Sequence, residues 1–127
     1  MKNLVQNEYK QASVQTCCAD LKKIKPLKQD DIKKLIPKAK EKDKEATNKI
    51  LESNLRYVFK VANGLKGNGV PILDLVSEGN LGILKAIDKF DVTKGYSFLT
   101  YANSWIKAFM LIKIREENKK RELVSLN

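Results

Sequence analysis

Aromatic and lysine side chains alternate between residues 89 and 107, and this combination could bind unpaired nucleic acid. Bases stack on aromatic rings while cations follow the phosphates, so the two residue types together suit a single strand. Aromatic residues at helical spacing more often pack a core, and spacing alone leaves the two interpretations about even. The residues are Lys89, Phe90, Lys94, Tyr96, Phe98, Tyr101, Trp105 and Lys107.

Acidic side chains in the same half of the chain could form paired carboxylates for acid–base catalysis or a magnesium site. In a basic chain, acids on a helix surface more commonly pair with lysines or with a partner protein. The chain has no histidine, which removes the commonest general base and metal ligand. We therefore expect no catalytic residue, no metal and no cofactor. The acids are Asp74, Glu78, Asp88 and Asp91.

The composition of the 127-residue chain indicates one folded domain with a polyanionic partner. Lysine and arginine number 25 against 15 aspartates and glutamates, which gives a net charge of +10. Cys17 and Cys18 are adjacent, and neighbouring cysteines rarely form a disulfide because the ring that it closes is strained. Two thiolates alone do not complete a tetrahedral zinc site, so a reducing cytosol is the simplest setting. Because no apolar run suggests a signal or a membrane span, we expect a soluble cytoplasmic protein.

Helical periodicity dominates the chain after its lysine-rich first third. Apolar residues recur every three or four positions over 45–64, Pro71 suits the first turn of a second helix that runs to about Asp88, and Tyr96 begins a third. The charged stretch 115–121 predicts a frayed end for that third helix. Around Ile32 and Ile36 another helix is expected, with Pro37 producing a kink or dividing it in two. The sequence predicts an all-α fold, a compact bundle of about four to five helices.

The second predicted helix carries two distinct faces. Gly79 and Gly82 lie inside its helical pattern and indicate close helix packing. The expected core stripe contains Leu73, Val76, Asn80, Ile83, Leu84 and Ile87. The second face contains Asp74, Ser77, Glu78, Leu81 and Lys85, and core packing does not explain it.

The chain closely resembles region two of the sigma-70 family of bacterial RNA polymerase sigma factors, without gaps over residues 50 to about 107. Two long ordered signatures carry the resemblance, DLVSEGNLGILKAIDKFD and GYSFLTYANSWI. Weaker likeness links LKQDDIKKL to the helical region before region two, and RELVSLN to the start of the third region. We expect a lysine-rich helical segment at 1–45, a region-two core at 46–117, and the start of a truncated or absent third region at 118–127.

The resemblance implies a promoter-recognition subunit that is not an enzyme. In this family, region two docks on the clamp helices of the largest polymerase subunit and opens promoter DNA at the minus-ten element. Acidic residues at the docking positions suit a basic coiled coil on the partner. The matching docking positions here are Leu73, Asp74, Ser77, Glu78, Asn80 and Leu84.

The same resemblance implies three groups of DNA-binding residues, chiefly for the non-template strand. Positions that capture a flipped adenine correspond to Phe90, Asp91, Lys94, Tyr96, Thr100, Tyr101 and Trp105. Positions that line a pocket for a second extruded base correspond to Asn54 and Tyr57. Basic positions that face the DNA backbone correspond to Lys89 and Lys107.

Several departures from the family pattern leave alternatives open. Ser104 precedes Trp105 where many members have two tryptophans, and Ala108, Leu111 and Ile112 replace polar or basic base-reading groups. No helix-turn-helix for the minus-thirty-five element is visible, which leaves two alternatives: the chain is an excised domain, or it is a short sigma-like factor of the kind that some large phages use, for which an accessory factor supplies the upstream contacts. A phage-encoded protein acting in its bacterial host would fit this architecture. One alternative is a sigma-like module that redirects or inhibits the host polymerase without reading DNA, and another is a nonspecific nucleic-acid-binding protein.

Overall fold

The computed structural model describes residues 27–65, 67 and 69–125. The fold of these residues is all-α, as predicted, and they form four α-helices, one 3-10 turn and no strand. In chain order the elements are α1 (Gln29–Lys40), α2 (Lys44–Gly64), α3 (Ile72–Lys89), the turn Val92–Lys94 and α4 (Phe98–Ser125). Cys17 and Cys18 lie outside the described residues, as does most of the predicted segment 1–45.

Side-chain caps mark where α2 and α4 begin. Asp43 precedes α2, and its side chain accepts a hydrogen bond from the amide of Glu45 at 3.1 Å. The side chain of Ser97 likewise accepts from the amide of Thr100 at 3.2 Å, so α4 begins at Phe98. The predicted start at Tyr96 is therefore two residues too early.

Helix α1 is continuous across Pro37, so the alternative of two short helices is wrong. Pro37 lies only three residues before the end of the helix, where the hydrogen bond that it removes costs the helix little of its length. Ile32, Ile36 and Ala39 are buried against the rest of the bundle. Part of the lysine-rich segment is therefore built into the domain core.

Helices α3 and α4 form an antiparallel hairpin whose closest approach is at two glycines. A Cβ atom added at Gly79 would lie 2.7 Å from the Cε atom of Met110, and one added at Gly82 would lie 2.8 Å from the carbonyl oxygen of Trp105. The order of these contacts, 79 with 110 and 82 with 105, gives the antiparallel direction. The prediction that Gly79 and Gly82 permit close helix packing is confirmed.

Helix α4 is a single element of 28 residues, and it continues through 115–121, where a frayed end was predicted. The ammonium of Lys113 pairs with the carboxylate of Glu117 at 3.2 Å, and Lys120 lies 3.7 Å from the same carboxylate. The guanidinium of Arg121 donates a hydrogen bond to the carbonyl of Gly69, in the connection between α2 and α3. These contacts hold the charged end in helical form.

Candidate functional site

Four aromatic side chains meet where α3 ends and α4 begins, and we call Phe90, Tyr96, Phe98 and Tyr101 the aromatic cluster. The Phe90 ring lies 5.3 Å from Phe98 and 5.6 Å from Tyr101, measured between centroids. Tyr96 and Tyr101 are stacked at 6.2 Å with 26° between their planes. Phe90 and Phe98 are fully buried, whereas Tyr96 is 39% exposed and Tyr101 is half-buried. The cluster thus has a buried floor of two phenylalanines and a tyrosine pair at the surface.

Burial corrects the predicted role of Phe90. Its ring is fully enclosed, so a direct contact with a base is not available to it in this conformation. It also makes an edge contact with Tyr96 at 5.9 Å. Phe90 therefore supports the two tyrosines from below, and the stacking surface belongs to Tyr96 and Tyr101.

Asp91 organises the loop between the two helices. Its carboxylate accepts from the Thr93 amide at 2.9 Å and from the Thr93 hydroxyl at 2.6 Å. These hydrogen bonds hold the pKa of the Asp91 carboxyl below its ordinary value, and the charges of Lys94 and Lys40 act in the same direction. Gly95 closes the loop in the left-handed region, with φ of 79°. The anionic side chain thus shapes the segment that presents Lys94 and Tyr96.

The first turns of α4 carry the other predicted capture residues. Thr100 is exposed, and its hydroxyl lies 2.7 Å from that of Ser97. Trp105 is half-buried one turn after Tyr101, with its ring 6.4 Å from that of Phe109. At 3.6 residues per turn, Tyr101 and Trp105 share one side of the helix. The predicted capture residues other than Phe90 therefore reach the surface around the tyrosine pair.

The three predicted backbone-facing or loop lysines are all exposed but do not share one side. Lys89 is the last residue of α3, and Lys94 lies two residues before Tyr96. Lys107 lies on α4, where helical geometry places it about 120° around the axis from Tyr101. The fold thus brings Lys89 and Lys94 to the end of α3 and its loop, and directs Lys107 elsewhere.

A cavity of about 600 Å³ contains both residues predicted for a second base, Asn54 and Tyr57. This volume lies within the usual range for small-ligand pockets. Asn54 is almost fully buried and donates to the carbonyl of Ile50 at 2.8 Å, while the Tyr57 hydroxyl donates to the side chain of Asn103. Because Asn54 and Tyr57 already hold intramolecular partners, both are fixed in orientation.

Residues outside the predicted set complete the cavity. Leu27 and Gln29 contribute from the start of α1, and the exposed cations Arg56 and Lys60 line it from α2. The amide of Leu27 donates to the Ser53 hydroxyl at 2.8 Å, which ties the α1 entrance to α2. The resemblance of LKQDDIKKL to the region preceding region two was the available signal for the α1 contribution.

The predicted docking residues lie along α3, and most of them are half-buried at its surface, namely Leu73, Asp74, Ser77, Glu78 and Leu84. Asn80 differs, because it is 4% exposed and belongs to the core, so a direct partner contact is not open to it here. The Ser77 hydroxyl donates back to the carbonyl of Leu73 at 3.0 Å. The remaining residues present apolar and acidic groups together.

Lys113 of α4 is a neighbour of this acidic surface that sequence reasoning missed. Its hydrogen bond to Glu117 is the main cause that raises the pKa of the Lys113 ammonium, and the charges of Glu78 and Asp74 add to that effect. The antiparallel hairpin brings these residues together although they are far apart in the chain. The positive charge of Lys113 therefore partly offsets the negative charge of Asp74 and Glu78.

The apolar residues 108–112 of α4 divide between the core and the surface. Met110 is fully buried, whereas Leu111 is 43% and Ile112 is 50% exposed.

Within the described part of the chain, no helix is long and apolar enough to cross a membrane. In that same part no group of three or more potential ligand side chains could hold a metal ion.

Comparison with known proteins gives consistent matches. Residues 50–120, more than half of the chain, match the family model described as Sigma-70 region 2. The proteins named RNA polymerase sigma factor RpoD from two strains of Helicobacter pylori, 26695 and J99, are each 45% identical to this chain over 82 residues. Those residues are 65% of this chain and 12% of each relative. The aligned part of this chain therefore spans only a small fraction of the length of these relatives.

Proposed function

Because the chain belongs to the sigma-70 family through its region 2, we propose that it binds core RNA polymerase and recognises and melts promoter DNA at the minus-ten element. The observation that carries this proposal is the stacked pair of Tyr96 and Tyr101 at the surface above a buried phenylalanine floor. The proposed role is that of a non-enzymatic initiation factor acting with the polymerase in the bacterial cytoplasm.

Strand capture at the aromatic cluster would proceed by stacking. Extruding a base from duplex DNA costs a few kcal/mol, and stacking on an aromatic ring returns roughly 1 to 3 kcal/mol. Phe90 contacts both tyrosines and is itself packed against Phe98, so little ordering remains to be done when the base arrives. Lys89 and Lys94 supply positive charge near the same end of α3. Melting is then driven by binding, without hydrolysis.

The cavity at Asn54 and Tyr57 supports a second point of capture. It is large enough to admit a nucleobase, and Arg56 and Lys60 offer cations for the adjoining phosphates. Two captured bases would fix both the position and the direction of the single strand.

The outer face of α3 supports docking on a basic helical partner such as the clamp helices of the largest polymerase subunit. Leu73 and Leu84 provide half-buried apolar area, and Asp74 and Glu78 provide negative charge beside it. Charge complementarity of this kind selects the partner and accelerates association more than it adds affinity. Because the chain as a whole is strongly basic, its acidic face on α3 differs in charge from the rest of the chain and favours a basic partner.

The test is co-elution of the purified chain with bacterial core RNA polymerase, followed by addition of a single-stranded minus-ten oligonucleotide. We expect wild type to bind the polymerase and then the oligonucleotide, and Glu78→Lys to lose polymerase binding. Glu52→Lys is the matched control, because Glu52 is exposed on α2 and undergoes the same charge change. Polymerase binding without strand capture would favour the alternative of a module that redirects or inhibits the polymerase. Oligonucleotide binding without polymerase binding would favour nonspecific nucleic-acid binding.

A further inference from the structure

The last residue of helix α1, Lys40, contacts the start of the loop that follows α3. The ammonium of Lys40 donates a hydrogen bond to the carbonyl oxygen of Phe90 at 2.5 Å. Phe90 is the C-cap residue that directly follows α3, at the end where helix carbonyls lack partners within their own helix. A lysine at such a helix end both satisfies a carbonyl and interacts favourably with the helix dipole.

Phe90 is thereby held at its amide, its ring and its carbonyl. The amide donates to the carbonyl of Ala86 at 2.8 Å, and the ring is buried within the aromatic cluster. Lys40 supplies the third constraint, on the carbonyl whose peptide plane leads directly into Asp91. We call residues 91–95 the capture loop, since this segment leads from Phe90 to Tyr96. The orientation of that first peptide sets the direction in which the loop leaves the helix.

The charge of Lys40 also acts on the capture loop. It is the smallest of the causes that lower the pKa of the Asp91 carboxyl, after the hydrogen bonds from Thr93 and the charge of Lys94. The carboxylate accepts both Thr93 hydrogen bonds, which close the turn Val92–Lys94. Lys40 therefore acts on the loop chiefly at its entrance, through the hydrogen bond to the Phe90 carbonyl.

We propose that Lys40 is a positioning residue for base capture, which holds the capture loop so that Tyr96 stacks on Tyr101. This inference rests on the proposed function of the aromatic cluster. Lys40 lies outside the matched family region, which begins at residue 50. The strand-binding unit of this protein therefore includes the end of α1.

A rival role for Lys40 is direct contact with a DNA phosphate, and salt dependence separates the two roles. Loss of a phosphate contact lowers the slope of log affinity against log salt by about one. Loss of a positioning hydrogen bond weakens binding without changing that slope, because no counterion release is lost.

The experiment compares Lys40→Met, Lys40→Arg and Lys38→Met in complex with core polymerase. Lys38 is exposed on the same helix, so its methionine variant is matched in charge and length. We expect Lys40→Met to bind a minus-ten oligonucleotide about two- to tenfold more weakly, with the wild-type salt slope and polymerase affinity. Lys40→Arg keeps a charged donor and should stay within about twofold of wild type, as should Lys38→Met.

Four results would overturn the positioning role. They are unchanged capture by Lys40→Met, a salt slope reduced by about one, an equal loss in Lys38→Met, and a fall in helical circular dichroism that marks Lys40 as a general folding residue. Failure of the wild-type complex to capture the oligonucleotide would instead refute the proposed function itself, and this inference with it.

Discussion

Replacement of Gly82 by alanine tests the hairpin that positions both candidate surfaces. An added Cβ would lie 2.8 Å from the carbonyl oxygen of Trp105, 3.0 Å from its carbonyl carbon and 3.1 Å from the Cα of Ile106. All three are backbone atoms of α4, so rotation of a side chain cannot relieve the contact. Since ordinary contacts begin near 3.4 Å, the two helices must separate by about 0.6 Å at this point.

The expected cost follows from two opposing effects. Alanine is favoured over glycine within a helix by roughly 1 kcal/mol. Overpacking a well-filled helix contact costs typically about 1 to 3 kcal/mol, and here it falls on backbone rather than on a flexible side chain. Because backbone atoms cannot rotate away from the added Cβ, the upper half of that range applies, about 2 to 3 kcal/mol. After subtraction of the propensity gain, we expect Gly82→Ala to lower the free energy of unfolding by about 1 to 2 kcal/mol, which for a chain of this length corresponds to a fall in melting temperature of roughly 3 to 12 °C.

Thermal unfolding followed by circular dichroism measures this change, and Gly64→Ala is the control. Gly64 is the last residue of α2, and a Cβ there would meet nothing within 4 Å. The control should be neutral or slightly stabilising, because only the helix-propensity term remains. A Gly82→Ala protein as stable as wild type would show that α3 and α4 are not packed backbone to backbone.

Three further predictions concern the candidate interface. Tyr101→Ala should weaken strand capture by about 1 to 3 kcal/mol in an oligonucleotide titration and leave polymerase binding intact, whereas an equal loss of both would assign Tyr101 to the core. Lys107→Ala should weaken binding to all DNA sequences and lower the salt slope by about one, and an unchanged slope would remove Lys107 from the phosphate contacts. Thr93→Val should raise the pKa of the Asp91 carboxyl towards its ordinary value, measured by NMR titration, because it removes the hydroxyl donor. In the wild-type protein that lowered pKa stabilises the fold at pH above the ordinary carboxyl value, and this contribution to stability is lost as the pH falls through the folded-state pKa. An Asp91 pKa in Thr93→Val equal to that in wild type would show that the Thr93 hydroxyl is not a cause of the lowered pKa.

Local patterns predicted the helices well because their causes are local. The apolar spacing over 45–64 and the proline at 71 placed α2 and α3 within a residue of their observed bounds. The start of α4 was misplaced because the Ser97 cap ends the loop after Tyr96, and aromatic spacing does not reveal a cap. Helix α4 also extends further than its charge pattern predicted, since Arg121 is held by a carbonyl 52 residues away in the chain.

Burial separated residues that sequence reasoning grouped together. Phe90 and Tyr96 have the same aromatic signature, yet one is the floor of the cluster and the other lies at the surface. Asn80 belongs to the predicted core stripe by spacing and to the docking positions by resemblance, and its burial agrees with the spacing. The hydrogen bond of Lys40 to Phe90 and the effect of the Glu78 and Asp74 charges on the Lys113 pKa depend on tertiary packing, which no local pattern encodes.

Helix α4 is a single, unbroken helix, so it is expected to tilt as a rigid body rather than to bend. Its 28 residues include neither proline nor glycine, the usual places where a helix bends. The backbone of Trp105 lies against Gly82. At 1.5 Å per residue, the far end of the helix is about 30 Å from Trp105, so a tilt of 5° about this contact would move that end by about 2.6 Å. Arg121, whose guanidinium donates to the carbonyl of Gly69, lies about 24 Å beyond Trp105 on the same helix. The same tilt of α4 would therefore displace the connection between α2 and α3 by about 2 Å.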